Sequence, residues 1–249
     1  MTHLILWRKP VKKTPQALAE EAFALFSIFR EAESDFCPNY RAVRRRRDAK
    51  PFAWDGESFR KALLGRPVNQ GNAQLGELGY SISFFSSLEE KGSVGYRLHT
   101  GNCDPKFVDT FVVDIPEAAG SSRLFSPETV EDTFHRCIAV FRSFWGCVDD
   151  RGPLEGGYLT GDRKRPRSIC WLNYWDAAMA LRVGPLRIRR ACGAVPETSW
   201  RDGVLRTGRE PLSRTPERAE ILNRLLGLNA FTGSGEAVSP RVGQRDNYD

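Results

Sequence analysis

Residues 80–115 read YSISFFSSLEEKGSVGYRLHTGNCDPKFVDTFVVDI, and three segments within them have the spacing of β-strands. Apolar and polar side chains alternate in residues 80–85 and 94–98, and residues 111–115 form a short apolar run that Pro116 closes. Alternation with a period of two is typical of strands with one buried face. Because the links between the segments are short, we predict that they pair as an antiparallel meander.

Helical patterns lie on both sides of this meander. Three of them begin with a hydroxyl side chain that can cap the helix and a proline that suits the first helical position: Thr14-Pro15, Ser126-Pro127 and Thr215-Pro216. A shorter helix is predicted after Asp55. The apolar face of the third helix extends to Trp145, with Gly146 as its stop, and Gly227 ends the last helix.

The remaining strand candidates are residues 170–175, 186–188 and 204–207. Strands that are segregated from helices along the chain favour an α+β fold. We therefore predict a single domain with a mainly antiparallel sheet of about five to six strands and helices packed on one face. The domain is expected to cover residues 4–230. Residues 231–249 have no core-forming pattern and are expected to be a C-terminal tail.

The composition excludes several classes of protein. The chain has 249 residues and is 41% hydrophobic and 11% aromatic, which is too apolar for a disordered protein. No apolar run approaches the roughly 20 residues of a membrane span, and the first residues lack the order of a secretory signal. We expect a soluble, cytoplasmic protein. Six cysteines without a CxxC pair then predict reduced thiols.

The net charge of +6 is concentrated in two clusters. The first is the run Arg44, Arg45, Arg46 and Arg47. The second lies between residues 163 and 190 and contains Arg163, Lys164, Arg165, Arg167, Arg182, Arg187, Arg189 and Arg190. Such clusters indicate either a surface for nucleic acid or an acidic protein partner, or two solvated loops that aid solubility.

Motifs that would indicate catalysis are missing from the sequence. It contains no GxxxxGK[ST], GxSxG or HExxH, and no GxGxxG follows a strand. His99 precedes the loop that contains Cys103, but close neighbours along a strand are poor partners for a nucleophile and its base. We predict a protein that is not an enzyme and that uses no cofactor and no metal ion.

Aromatic residues are abundant near the second basic cluster. In the predicted strand 170–175, Trp171 and Trp175 share one face with Asn173, and Leu172 and Tyr174 occupy the other. If one face is exposed, aromatic side chains beside arginine are typical of protein–protein interfaces. The alternative is a sheet that is covered on both faces.

The order of these elements and their motifs resembles the immunity protein 52 family of bacteria. The similarity covers about residues 4–230. The motifs that carry it are Leu6-Trp7-Arg8-Lys9-Pro10, residues 77–84, Leu98-His99-Thr100-Gly101-Asn102-Cys103, residues 111–116, Phe144-Trp145, Cys170-Trp171-Leu172-Asn173-Tyr174, residues 204–207 and Gly227-Leu228. The chain departs from the family at two places. It has Phe85-Ser86-Ser87 where many relatives carry Trp-Asn-Gly, and Phe144-Trp145-Gly146-Cys147-Val148 where a Trp-x-Pro-x-Trp-like segment follows the middle helix.

The resemblance implies a non-catalytic protein that binds and neutralises a cognate toxin in the cytoplasm. The implied partner is a nuclease effector with a restriction-endonuclease-like domain, delivered by type VI secretion. The residues that we predict to contact the toxin combine the basic clusters with the aromatic strand: Arg44, Arg45, Arg46, Arg47, Trp171, Tyr174, Trp175, Arg187, Arg189 and Arg190. A basic nucleic-acid-binding module and an enzyme with an unrecognised site are the alternatives, and direct nucleic-acid binding is not expected.

Overall fold

The computed structural model describes residues 1–32, 36–65, 79–104, 107–116, 126–149, 169–209 and 215–228. The strands within these ranges are β1 (Thr2–Arg8), β2 (Tyr40–Arg41), β3 (Tyr80–Phe85), β4 (Gly95–Thr100), β5 (Asp109–Ile115), β6 (Trp145–Asp149), β7 (Leu172–Trp175), β8 (Ser199–Arg201) and β9 (Val204–Arg206). The helices are α1 (Pro15–Ala32), α2 (Gly56–Leu64), α3 (Pro127–Phe141), α4 (Ala177–Val183), α5 (Pro185–Ala194) and α6 (Pro216–Leu226).

The nine strands of the described residues form one antiparallel sheet in the order β2-β3-β4-β5-β1-β6-β7-β9-β8. The predicted meander is confirmed as β3, β4 and β5, in which Ile82 pairs with Leu98 and Leu98 with Phe111. The α+β class is also confirmed. The strand count exceeds the prediction because β1, β2, β6 and β8 were not expected as strands.

The first strand of the chain lies in the middle of the sheet, between β5 and β6. Leu4 and Leu6 belong to one apolar cluster, whereas Ile5 and Trp7 pack against a second cluster. A strand that is buried on both faces is a continuous apolar run without alternation, so it gives no period-two signal. This is why the sequence pattern did not predict β1.

The sheet separates two apolar clusters, each with its own helices. The first cluster contains residues of α1, α2 and α3, and the second contains residues of α4, α5 and α6. Neighbouring residues of β6 divide between them, because Val148 belongs to the first cluster and Cys147 to the second. Helices therefore pack on both faces of the sheet, and the prediction of helices on one face is corrected.

The predicted helix starts are confirmed by their capping hydrogen bonds. The hydroxyl of Thr14 accepts from the Ala17 N–H at 3.2 Å, and those of Ser126 and Thr215 cap α3 and α6 in the same way. Gly227 ends α6 with φ 71°. Helix α3 ends earlier than predicted, because Arg142 adopts a left-handed conformation with φ 53° and terminates it.

The chain between β7 and β8 differs from the prediction. Residues 186–188, predicted as a strand, lie in α5, which follows α4 after the single residue Gly184. Helix α5 buries only Ile188 and Ala191, so its apolar pattern is too short to distinguish from a strand. The predicted tail, residues 231–249, lies outside the described residues, as do Arg163, Lys164, Arg165 and Arg167. No helix in the described part of the chain has the length and apolarity of a membrane span.

Candidate functional site

A buried ionic cluster connects the motif at residues 98–103 to the centre of the sheet. Asp109 is fully buried, and its carboxylate accepts from the backbone N–H groups of Gly101 at 3.2 Å and Asn102 at 3.1 Å. Arg8 donates to the same carboxylate through Nη2 at 2.6 Å and Nε at 3.2 Å. A buried charge is tolerated when it is both paired and hydrogen-bonded, and Asp109 meets both conditions.

Arg8 extends this cluster to two helices. It donates to Thr100 Oγ1 at 2.6 Å, forms an ion pair with Glu21 of α1, and lies 4.6 Å from the ring centre of Phe141 in α3. Glu21 also pairs with Lys13, whose pKa is lowered by burial and by the nearby Arg8 charge. Since Arg8 is only 2% exposed, the cluster connects β1, β4, β5, α1 and α3 rather than forming a ligand site.

The histidine and cysteine of the same motif are not arranged as a base and a nucleophile. His99 pairs with Ser81 and Thr110 within the sheet, and Cys103 is exposed in the following loop. None of the six cysteines, all of which lie in the described ranges, forms a disulfide, and burial raises the pKa of Cys137 far above its usual value. Over the ranges that the structure describes, no group of three or more His, Cys, Asp or Glu could hold a metal ion.

The two tryptophans predicted to contact a partner are buried. Trp171 is 0% exposed and donates to the Gly208 carbonyl at 3.1 Å, and Trp175 is 1% exposed, with its ring centre 5.6 Å from that of Trp200. Tyr174 is half-buried, and burial followed by the Asp176 charge raises its pKa. The alternative of a sheet covered on both faces thus applies here, so Trp171 and Trp175 are withdrawn as contact residues.

The first basic cluster lies beside the short edge strand β2. Arg44, Arg45 and Arg47 are exposed, whereas Arg46 is half-buried and donates to the Ser87 carbonyl at 2.6 Å. The Arg46 guanidinium also lies 4.3 Å from the ring centre of Phe85. Arg46 therefore holds the loop that follows β3 in place. The other three arginines of this cluster face solvent.

The second basic cluster lies on α4 and α5, at the opposite end of the sheet. These helices contain four arginines and no carboxylate: Arg182, Arg187, Arg189 and Arg190. Two leucines beside them are the most exposed large apolar side chains of the described residues, Leu181 at 71% and Leu186 at 78%. We call these six residues the α4–α5 surface. Helices α4 and α5 contact β7 and β8, which lie six and eight strands from β2 in the sheet. With strands about 4.8 Å apart, the surface lies roughly 30–40 Å across the sheet from β2, so the two basic clusters do not form one site.

A groove of about 410 Å³ lies next to this surface, between α5 and β8. It is lined by Ala180, Pro185, Ile188, Arg189, Cys192 and Trp200, and we call it the α5–β8 groove. The sequence predicted three arginines of this surface as contacts, but the exposed leucines and the groove were missed because residues 186–188 were assigned to a strand. The available signal was Gly184-Pro185, a pair typical of one helix ending and another beginning.

Comparison of the chain with protein-family models and with curated proteins gives no match to either.

Proposed function

We propose that this chain is an immunity protein that binds a cognate bacterial toxin and blocks it by protein–protein contact, without catalysis. The main support is the α4–α5 surface, where Leu181 and Leu186 are exposed beside arginines. Exposed apolar side chains in a polar rim mark interaction sites, and arginine is enriched in interface hot spots. The resemblance to the immunity protein 52 family supports the same function.

The finer proposal is that the toxin is a nuclease effector delivered by type VI secretion and neutralised in the cytoplasm. Metal-dependent nucleases hold their ions with carboxylates, so the active-site cleft of such an enzyme carries acidic groups. A surface with arginines and no carboxylate complements that cleft. Simple mimicry of DNA by acidic residues is disfavoured as a mechanism, because the chain carries a net charge of +6.

Co-expression with the toxin encoded beside this chain tests the proposal. Wild-type chain should restore growth to cells that produce the toxin. The variant R187E/R189E/R190E should lose protection, because it reverses the charge of the α4–α5 surface. Since Arg187 also packs against the end of α6, the variant R189E/R190E should lose protection as well. The matched variant R44E/R45E/R47E reverses the three exposed arginines of the first basic cluster, which the sequence also predicted as contacts. It should protect like wild type if the α4–α5 surface alone binds the toxin.

The outcomes distinguish the competing functions. The proposal would be overturned if cells that produce the toxin failed to grow with either the wild-type chain or R44E/R45E/R47E. A nucleic-acid-binding module would instead shift DNA or RNA in a gel, with affinity that falls steeply between low and high salt as counterions are released. Loss of protection by R44E/R45E/R47E alone would move the interface to the β2 edge.

A further inference from the structure

We infer that the α5–β8 groove receives one large apolar side chain of the partner, from a segment in which carboxylates lie beside that side chain. This inference rests on the proposed function and specifies how the partner is held. It assigns the groove as the central anchor of the interface and the arginines of the α4–α5 surface as its charged rim.

The groove has the size and lining of an anchor pocket. Its volume of about 410 Å³ falls within the roughly 300–1,000 Å³ of ligand-binding pockets. Five of its six lining residues present apolar or sulfur-containing side chains, and the small side chain of Ala180 leaves the space open. Hot-spot side chains bind in well-packed, desolvated pockets, and this lining supplies such an environment.

The walls of the groove are held in place by the fold. Trp200 pairs with Leu205 in the sheet and packs against the buried Trp175. Ile188 is 4% exposed and belongs to the second apolar cluster, so it fixes α5 on the sheet. A preformed pocket lowers the conformational cost of binding.

The charge around the groove determines which residues flank the anchor. Arg189 lines the groove, and Arg187 and Arg190 are exposed on the same helix. Nearby carboxylates have other roles: Asp176 caps α4 at 2.7 Å from the Met179 nitrogen, Asp202 pairs with Arg201, and Glu197 pairs with Arg209. The complementary partner segment therefore carries carboxylates beside its apolar residue, on the side that faces α5.

A pair of substitutions in α4 tests the groove directly. Ala180→Phe places an aromatic ring in the groove and takes up part of its volume, whereas Ala178→Phe places the same side chain at an exposed position of the same helix. In calorimetric titration with the purified toxin domain, A180F should weaken binding at least tenfold, and A178F should change it less than threefold. Thermal unfolding of both variants should match wild type.

Each outcome bears on one level of the proposal. If A180F and wild type bind equally, the groove is not the anchor and the inference is overturned, while the proposed function stands. If wild type does not bind the toxin domain, the proposed function itself fails. If A180F mainly lowers the thermal stability of the unbound chain, the groove holds the chain's own residues, which also overturns the inference.

Thiol alkylation gives a second measurement that needs no substitution. Cys192 lines the groove beside β8. Cys103 is exposed in the loop after β4, which lies six strands from β8 in the sheet, and serves as the control. The toxin domain should slow alkylation of Cys192 by iodoacetamide at least fivefold, read by peptide mass spectrometry, and leave Cys103 unchanged. Equal rates at Cys192 with and without toxin would contradict occupation of the groove.

Discussion

At the level of single residues, Asp109 and Arg8 show how a charged motif can serve stability. Asp109 accepts two backbone N–H groups and the Arg8 guanidinium, and all of these groups are buried. Such a pair contributes little net stability compared with apolar residues, but removal of one partner leaves an uncompensated buried charge. The motif at residues 98–103 could be found in the sequence. Its role could not, because Arg8 lies 101 residues away from Asp109.

The substitution Asp109→Asn tests this role. It keeps the shape of the side chain but leaves Arg8 with one charged partner fewer, and we expect the free energy of unfolding to fall by about 3 kcal/mol or more. Asp48→Asn is the control, because the Asp48 side chain is 61% exposed. It should change the free energy of unfolding by less than about 0.5 kcal/mol. Urea unfolding measures both. Equal stability of D109N and wild type would contradict the structural role.

Asp114 offers a titratable contact on the surface of β5. Burial opposes ionisation of Asp114, but the hydrogen bond with His3 Nδ1 at 2.8 Å and the charge of Arg97 outweigh it and lower the pKa of Asp114. A carboxyl group with a lowered folded pKa stabilises the protein above its unfolded pKa of about 3.9. That stabilisation is lost as the pH falls through the folded pKa.

The stability difference between wild type and Asp114→Asn should therefore depend on pH. We expect wild type to be more stable than Asp114→Asn at about pH 5, and we expect this difference in stability to shrink as the pH falls below about 4. Chemical unfolding at several pH values measures this difference. An advantage of wild type that grows toward acid would contradict the pKa direction given above.

Among the helices, α5 and α6 meet at a glycine. Gly227 ends α6 with φ 71°, and a Cβ atom there would lie 3.0 Å from Arg187 Cζ. The Arg187 side chain thus packs over the C-terminal end of α6, where orphan carbonyls favour a cation. The start and end of α6 were predicted correctly from local capping residues. Helix α5 was not, because its identity depends on packing against the sheet.

A pair of glycine substitutions tests this contact. Gly227→Ala should lower the free energy of unfolding by about 1–2 kcal/mol, since alanine is strained at positive φ and its Cβ displaces Arg187. Gly193 lies within α5, and a Cβ atom there would have no atom within 4 Å. Gly193→Ala should therefore raise the free energy of unfolding by about 0.5 kcal/mol. Thermal unfolding that ranks the two variants in the opposite order would contradict this account.

For the whole molecule, the division of the sheet explains how much could be predicted. One face of the β3, β4 and β5 meander packs on the first apolar cluster. The sequence of the meander shows the period of two that this predicts, so its strands were found. The centre of the sheet, β1 and β6, is covered on both faces and lost that signal. The second helical layer was not predicted. Three of the four arginines of the α4–α5 surface were therefore predicted as contacts, but its exposed leucines were not.

The same division assigns separate roles to the two ends of the sheet. The β2 end carries Arg46 in a structural contact with Ser87 and Phe85, and the β8 end carries the α4–α5 surface and its groove. Single-site changes at the two ends are far enough apart to act independently. The binding that we propose at the β8 end is therefore separable from the stability of the first apolar cluster.

The most direct test of the central claim is a calorimetric titration of the purified chain with the domain of its proposed toxin partner. An inhibitor that holds its target at low cellular concentration needs a Kd on the order of 10 nM or tighter, or about 11 kcal/mol of binding free energy, and we expect this for wild type. R187E/R189E/R190E should weaken this binding at least a hundredfold. Absence of binding by wild type at about 10 μM, a concentration far above that Kd, would contradict the account.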